Sequence, residues 1–167
     1  MSSVLHMYDP VANTWTMKAD FPGGQLQGAA GFATDSFGFI GGGRKYNEVV
    51  ASPAFYRYDP ISNSWAARAN YPDSMEAAFS FCINNTGYFA GGIIKTGSAT
   101  RTCYAYDAIA DQWNQKDSLP RGMGYGFSAV VNGKAYCGLG KIQFGNSRID
   151  SVYEYDAVAD SWQSRAG

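Results

Sequence analysis

Tyr58-Asp59-Pro60-Ile61-Ser62-Asn63-Ser64-Trp65 is one of four versions of a single eight-residue stretch. The others are Tyr8-Asp9-Pro10-Val11-Ala12-Asn13-Thr14-Trp15, Tyr106-Asp107-Ala108-Ile109-Ala110-Asp111-Gln112-Trp113 and Tyr155-Asp156-Ala157-Val158-Ala159-Asp160-Ser161-Trp162. Their tryptophans stand 50, 48 and 49 positions apart. Each version keeps Tyr-Asp, then an Asn or Asp, then Trp seven positions after the tyrosine. A fixed period of this length marks a supersecondary unit that stacks on copies of itself. The stretch itself reads as a turn: an Asp side chain can accept from backbone two residues on, Pro presets φ, and Asn tolerates the left-handed region.

A second element keeps the same phase. Gly41-Gly42-Gly43 and Gly91-Gly92 precede Trp65 and Trp113 by about half a repeat, and the third copy is degraded to Gly138-Leu139-Gly140. Between these landmarks the middle repeat reads as four strands. Residues 77–83 form the first, Asn84 to Gly87 a turn, and Tyr88-Phe89-Ala90 the second, leading into Gly91-Gly92. Residues 101–106 alternate as a third, and Trp113 to Lys116 begin the fourth.

Paired glycines, then Tyr-Asp, then Trp at this period resemble the kelch repeat, and the resemblance covers essentially the whole chain. It implies an all-β fold of kelch-type β-propeller blades, each a four-stranded antiparallel sheet with strands a to d. The expected organisation is a c-d half repeat over residues 4–19, then complete blades over 20–69, 70–117 and 118–167. Three complete blades and an N-terminal c-d hairpin make a partial propeller. Three accounts of that count stand open: a piece of a longer array, a half-propeller completed by self-association, or a stack capped by a partner chain. The structural repeat residues are Tyr8, Trp15, Gly41, Gly42, Tyr58, Trp65, Gly91, Gly92, Tyr106, Trp113, Gly138, Tyr155 and Trp162. The tyrosines and tryptophans are expected as knobs that enter the glycine gaps of a neighbouring sheet.

Composition agrees with this class. The 167 residues are 46% hydrophobic and 16% aromatic with 20 glycines, and only 16% charged, against the roughly 25% charge of an average soluble domain. A net charge of −1 with no basic stripe argues against nucleic acid. No apolar run reaches the roughly 20 residues of a membrane helix. Abundant Tyr, Asn, Ser and Gly with little Lys leans toward an extracellular or cell-surface setting. Cys82, Cys103 and Cys137 lack ligand spacing and read as small buried hydrophobes.

No catalytic motif is legible and no cofactor or metal is expected. The single histidine, His6, cannot supply the several imidazoles of a copper site, nor the base of a nucleophilic triad from an isolated hairpin. Gly122-Met123-Gly124-Tyr125-Gly126 opens a strand, so no helix N-terminus awaits a phosphate. Function is expected in the b-c and d-a loops that share one end of the sheets. The polar candidates there are Arg44, Tyr46, Asn47, Glu48, Lys95, Arg101, Arg121, Lys141, Gln143 and Arg148. The leading expectation is a non-enzymatic module that presents these loops to a protein or glycan partner. The resemblance also allows an enzyme of the sugar mutarotase type.

Overall fold

The computed structural model describes residues 3–143 and 147–166. Residues 1–2, 144–146 and 167, the last two groups within the expected blade over 118–167, lie outside the described residues. The fold is all-β. In chain order the strands are β1 (Leu5–Asp9), β2 (Thr14–Lys18), β3 (Leu26–Gln27), β4 (Ala30–Ala33), β5 (Gly38–Gly41) and β6 (Arg44–Lys45). Next come β7 (Phe55–Asp59), β8 (Ser64–Arg68), β9 (Met75–Glu76), β10 (Phe79–Ile83), β11 (Thr86–Ala90) and β12 (Ile93–Ile94). The remainder are β13 (Cys103–Asp107), β14 (Gln112–Lys116), β15 (Phe127–Val131), β16 (Lys134–Gly138), β17 (Val152–Asp156) and β18 (Ser161–Ala166).

Three four-stranded antiparallel meanders result: β4-β5-β7-β8, β10-β11-β13-β14 and β15-β16-β17-β18. A two-stranded hairpin, β1-β2, precedes them. The repeated stretch forms the turn between the last two strands of each unit. The Asp59 carboxylate accepts from the amides of Ile61 and Ser62 at 2.8 and 3.3 Å. Asn13, Asn63, Asp111 and Asp160 close the four turns at φ of 48–52°. The β10–β11 turn is tighter than its sequence suggested. Asn84 and Asn85 alone form it, both at positive φ, and Thr86 and Gly87 already pair within the ladder. Two consecutive left-handed residues match the right-handed strand twist, so a two-residue loop suffices.

Neighbouring sheets lock through one recurring joint. The Trp65 indole donates to the Ala19 carbonyl at 3.0 Å, while Asn63 Oδ1 accepts from the Ala19 amide at 2.9 Å. Trp113 and Asp111 hold Ala69 in the same way, at 3.0 and 2.9 Å. Trp162 and Asp160 hold Asp117 at 2.9 and 3.0 Å. Each Asx side chain also accepts the phenol of its own repeat, Tyr58, Tyr106 or Tyr155, at 2.6–2.8 Å. The Asp-for-Asn exchange in the later repeats is therefore conservative, because only acceptor capacity is used.

Two apolar clusters fill the spaces between sheets. Phe32, Phe39, Phe55, Phe89 and Tyr106 lie in one; Phe81, Tyr88, Cys103, Cys137 and Tyr155 lie in the other. Cys103 and Cys137 are fully buried, and burial pushes both thiols well above the ordinary range. The glycine gap falls elsewhere than expected. A Cβ on Gly87 would lie 1.9 Å from the Phe32 ring, so a phenylalanine from the first strand of the neighbouring sheet is the knob. Tyr106 and Trp113 instead stack edge-on against Phe55, with centroids 4.8 Å away in each case.

The tandem glycines do different work, and in the first and third units their register is one residue later than the sequence reading put it, while Gly91-Gly92 stands as read. Pairing of Gly38, Gly87 and Ala135 with Tyr58, Tyr106 and Tyr155 makes Gly42-Gly43, Gly91-Gly92 and Leu139-Gly140 equivalent. Gly42, Gly91 and Leu139 all adopt φ of 57–64°. The amides of Gly43 and Gly92 donate at 2.9 and 2.8 Å to the carbonyls of Met75 and Met123 in the next unit. The glycines thus admit backbone rather than an aromatic ring. Gly41 and Gly138 lie in the ladders, where a Cβ would press on the Phe55 ring and on the Ser151 carbonyl respectively.

Tyr8 and Trp15 depart from the packed role assigned to them. They touch each other, with centroids at 4.9 Å, but remain 44% and 68% exposed, since no sheet among the described residues packs on them.

Candidate functional site

The b-c and d-a segments meet at one end of the sheets, as expected, but they are not plain loops. β3 pairs with β6 and β9 pairs with β12, each as a short antiparallel ladder. In the third unit Lys141 bridges both Gly124 and Arg148. Backbone groups beyond the sheet ends need partners, and each segment supplies them to the other. A further chain of bonds links successive units. Gly28, Ala77 and Tyr125 occupy equivalent positions with φ of 56–65°. The Ala77 amide donates to Gly28 at 2.7 Å and the Tyr125 amide to Ala77 at 3.0 Å. Left-handed backbone under a tyrosine is an outlier of the kind that gathers at functional positions.

Beside this chain lies Glu76, only 3% exposed. Its Oε2 is 3.4 Å from Arg44 Nε. With its amide oxygen turned toward Arg44, Gln27 accepts from the same nitrogen at 3.2 Å. The guanidinium also donates to the Glu48 carbonyl at 3.4 Å. On the other side stands Tyr125. Its burial, and then the Glu76 carboxylate beside it, push the phenol above its ordinary value, while Arg44 opposes the rise. Lys141 Nζ lies 5.5 Å from the Tyr125 ring centroid, within cation–π range.

Arg44 and Glu76 border a cavity of about 300 Å³. Arg44, Glu76 and Lys95 are its charged members, and Val49, Ala51, Ile93 and Ile94 form an apolar wall. One buried carboxylate under several cations can orient the hydroxyls of a ligand while the wall takes its apolar face. A larger groove of about 700 Å³ opens at the opposite, turn end, between Thr34 and Lys116. There Asp35 and Asn85 satisfy one another, with the Asp35 amide donating to Asn85 Oδ1 at 2.8 Å. Asp35, Asp107 and Lys116 line that groove, but of the two only the smaller cavity holds a buried carboxylate, Glu76, and we take it as the candidate site.

The structure brings together some of the sequence candidates. Arg44 and Lys95 border the cavity, and Lys141 adjoins it through Tyr125. Glu48 contributes its carbonyl to Arg44 and its carboxylate to Lys45 at 3.5 Å. Tyr46, at 67% exposure, and Asn47 stand on the outer loop. Arg101 is turned away to the Leu119 carbonyl at 2.6 Å. Gln143 bonds Ser147 at 3.0 Å, and Arg148 extends the Lys141 ladder. Arg121 is exposed outside the cavity. Sequence reasoning missed Glu76 and Tyr125. The available signal was a carboxylate between Met75 and the apolar run 77–79, where solvation would not be expected.

No family model and no curated protein matches the chain. Among solved structures, one of YjhT is similar, with a TM-score of 0.88 at 20% identity over 99% of this chain. The chain covers 59% of that structure's length. At this identity the likeness establishes the fold alone. No helix among the described residues is long and apolar enough to cross a membrane.

Proposed function

We propose that the chain is a kelch-type β-propeller array, its three meanders serving as blades. Its loop end binds a protein or glycan partner without chemical turnover. The four-fold Tyr-Asp…Trp repeat and the likeness of fold support the architecture. The observation that carries the binding role is the buried Glu76 carboxylate, held by Arg44 against an open, partly apolar cavity. Such a cavity is sized for one sugar ring or one side chain of a partner, and exposed loop residues such as Tyr46 extend the contact. In this reading further repeats of the array, or self-association, complete the propeller. The test is a glycan array and a peptide library probed with wild type and with Arg44→Ala, whose fold is checked by circular dichroism. Binding by wild type that Arg44→Ala loses supports the reading. Binding unaffected by Arg44→Ala contradicts this location for the site.

Tyr125 beside Glu76 favours one second reading, a kelch-fold enzyme of the sugar mutarotase type. A carboxylate can take the proton of an anomeric hydroxyl while a phenol protonates the ring oxygen, which opens the ring for reclosure on either face. Accelerated anomerisation of an aldose, abolished by Glu76→Gln, would establish it.

A further inference from the structure

The cavity beside Glu76 brings three kinds of group into one small space. Glu76 and Ile93 stand directly opposite each other in the β9–β12 ladder, where cross-strand Cβ atoms lie about 5 Å apart. A buried acceptor and an aliphatic wall therefore adjoin. Ile93 is 1% exposed, and Ile94 and Val49 continue the wall. Lys95 follows at once on the same rim. It begins a turn in which the Gly97 amide donates to the Ile94 carbonyl at 2.9 Å and the Ile94 amide to the Ser98 carbonyl at 3.0 Å.

The two cations of the cavity are not equivalent. Arg44 is engaged, with Glu76 Oε2 and the Glu48 carbonyl each 3.4 Å from its nitrogens. Its charge and that of Glu76 cancel. Lys95 is exposed, and among the described residues no hydrogen bond or ion pair holds its ammonium. One uncompensated positive charge thus stands beside apolar surface. Glu76 keeps acceptor capacity as well, since a carboxylate offers about four lone-pair sites and Arg44 meets it through a single nitrogen.

An occupant that answers all three groups brings an anion to Lys95, an aliphatic body to Ile93, Ile94 and Val49, and an N–H to Glu76. The last residue of a protein carries all of these on one carbon when its side chain is aliphatic. An internal Asp or Glu brings the anion without the aliphatic body. A neutral aldose brings hydroxyls without the anion. We propose that the cavity captures the C-terminal residue of a partner protein, a leucine, isoleucine or valine, with Lys95 pairing its carboxylate. This rests on the loop-end binding reading above and names what enters the site.

Amide NMR spectra of the isotope-labelled 167-residue chain, titrated with millimolar N-acetyl-L-leucine, test it. The expected result is saturable shifts at the amides of Glu76, Ile93, Ile94 and Lys95. N-acetyl-L-leucinamide, which lacks the carboxylate, should bind about tenfold more weakly, the scale of one hydrogen bond to a charged group. N-acetylglycine, which lacks the side chain, should also bind more weakly. Lys95→Gln should bring the acid down to the level of the amide, while Arg121→Gln, outside the cavity, should leave the acid unchanged. The dispersion of each spectrum verifies that the variant folds. No saturable shift in the cavity, equal binding of acid and amide, or a preference for the acid that survives Lys95→Gln overturns the proposal. Tighter binding of free L-leucine than of N-acetyl-L-leucine overturns it too, because the cavity then belongs to a free amino acid. None of these outcomes touches the loop-end reading, which falls only when Arg44→Ala leaves binding in the glycan and peptide screens intact.

Discussion

The Trp113 indole and the Ala69 carbonyl, 44 positions apart, are joined at 3.0 Å, and Trp113 is also packed between Phe55 and Phe89. The same residue type at Trp15 has neither contact. The two positions therefore separate the contribution of the motif from that of the joint. Trp113 is partly buried, so Trp113→Ala should cost about 3 kcal/mol, the lower end of what buried aromatics lose on truncation. Trp15→Ala, measured on the dilute monomer, should stay within about 0.5 kcal/mol of wild type. Urea unfolding followed by circular dichroism gives both numbers.

Gly87 carries a second prediction. A methyl group there overlaps the Phe32 ring, and overpacking of this sort typically costs about 1–3 kcal/mol. Gly87→Ala should lower the unfolding midpoint accordingly. Adding Phe32→Leu should return part of the loss, a coupling that two independent sites would not show.

Leu139 stands at φ 57°, with its side chain 57% exposed, where Gly42 and Gly91 stand in the other units. The left-handed region costs a non-glycine residue roughly 1–2 kcal/mol, and little buried contact is lost with this side chain. Leu139→Gly should therefore raise stability by about 1 kcal/mol. Thermal unfolding checks the sign.

Acid sensitivity should centre on Glu154. Arg165 bonds it at 2.7 and 2.9 Å, and Lys134 Nζ approaches at 3.0 Å. These hydrogen bonds, with Arg165 the largest influence, bring its pKa down to about 2. Because the folded value lies below the unfolded one, the stabilisation is complete above the ordinary carboxylate range. It is lost as pH falls toward 2. Glu154→Gln should flatten this part of the profile, as measured by urea midpoints across that window.

The sequence carried the fold because its strongest signals are backbone requirements. Tyr-Asp, an Asx at positive φ and a Trp seven residues on each specify a turn and its anchor, so strand order followed from spacing. What it misplaced depends on partners distant in the chain. Which glycine admits a ring is decided by Phe32 approaching Gly87, and that approach has no local signature. The site was partly legible. Arg44, Lys95 and Lys141 were found because cations in loops are conspicuous. Glu76 was not, because its burial comes from Gly28 and Arg44 in another unit. The nearly fully exposed Val11, Ile61, Ile109 and Val158 at the turn tips remained unassigned, and nothing in the structure explains their aliphatic character.

The most direct test of binding without turnover uses one NMR sample, an aldose panel with the protein, read for both saturation transfer and anomeric exchange. The account predicts that any saturation transfer to a sugar is removed by Arg44→Ala, with the exchange rate equal to that of buffer. An accelerated exchange that Glu76→Gln abolishes would contradict it.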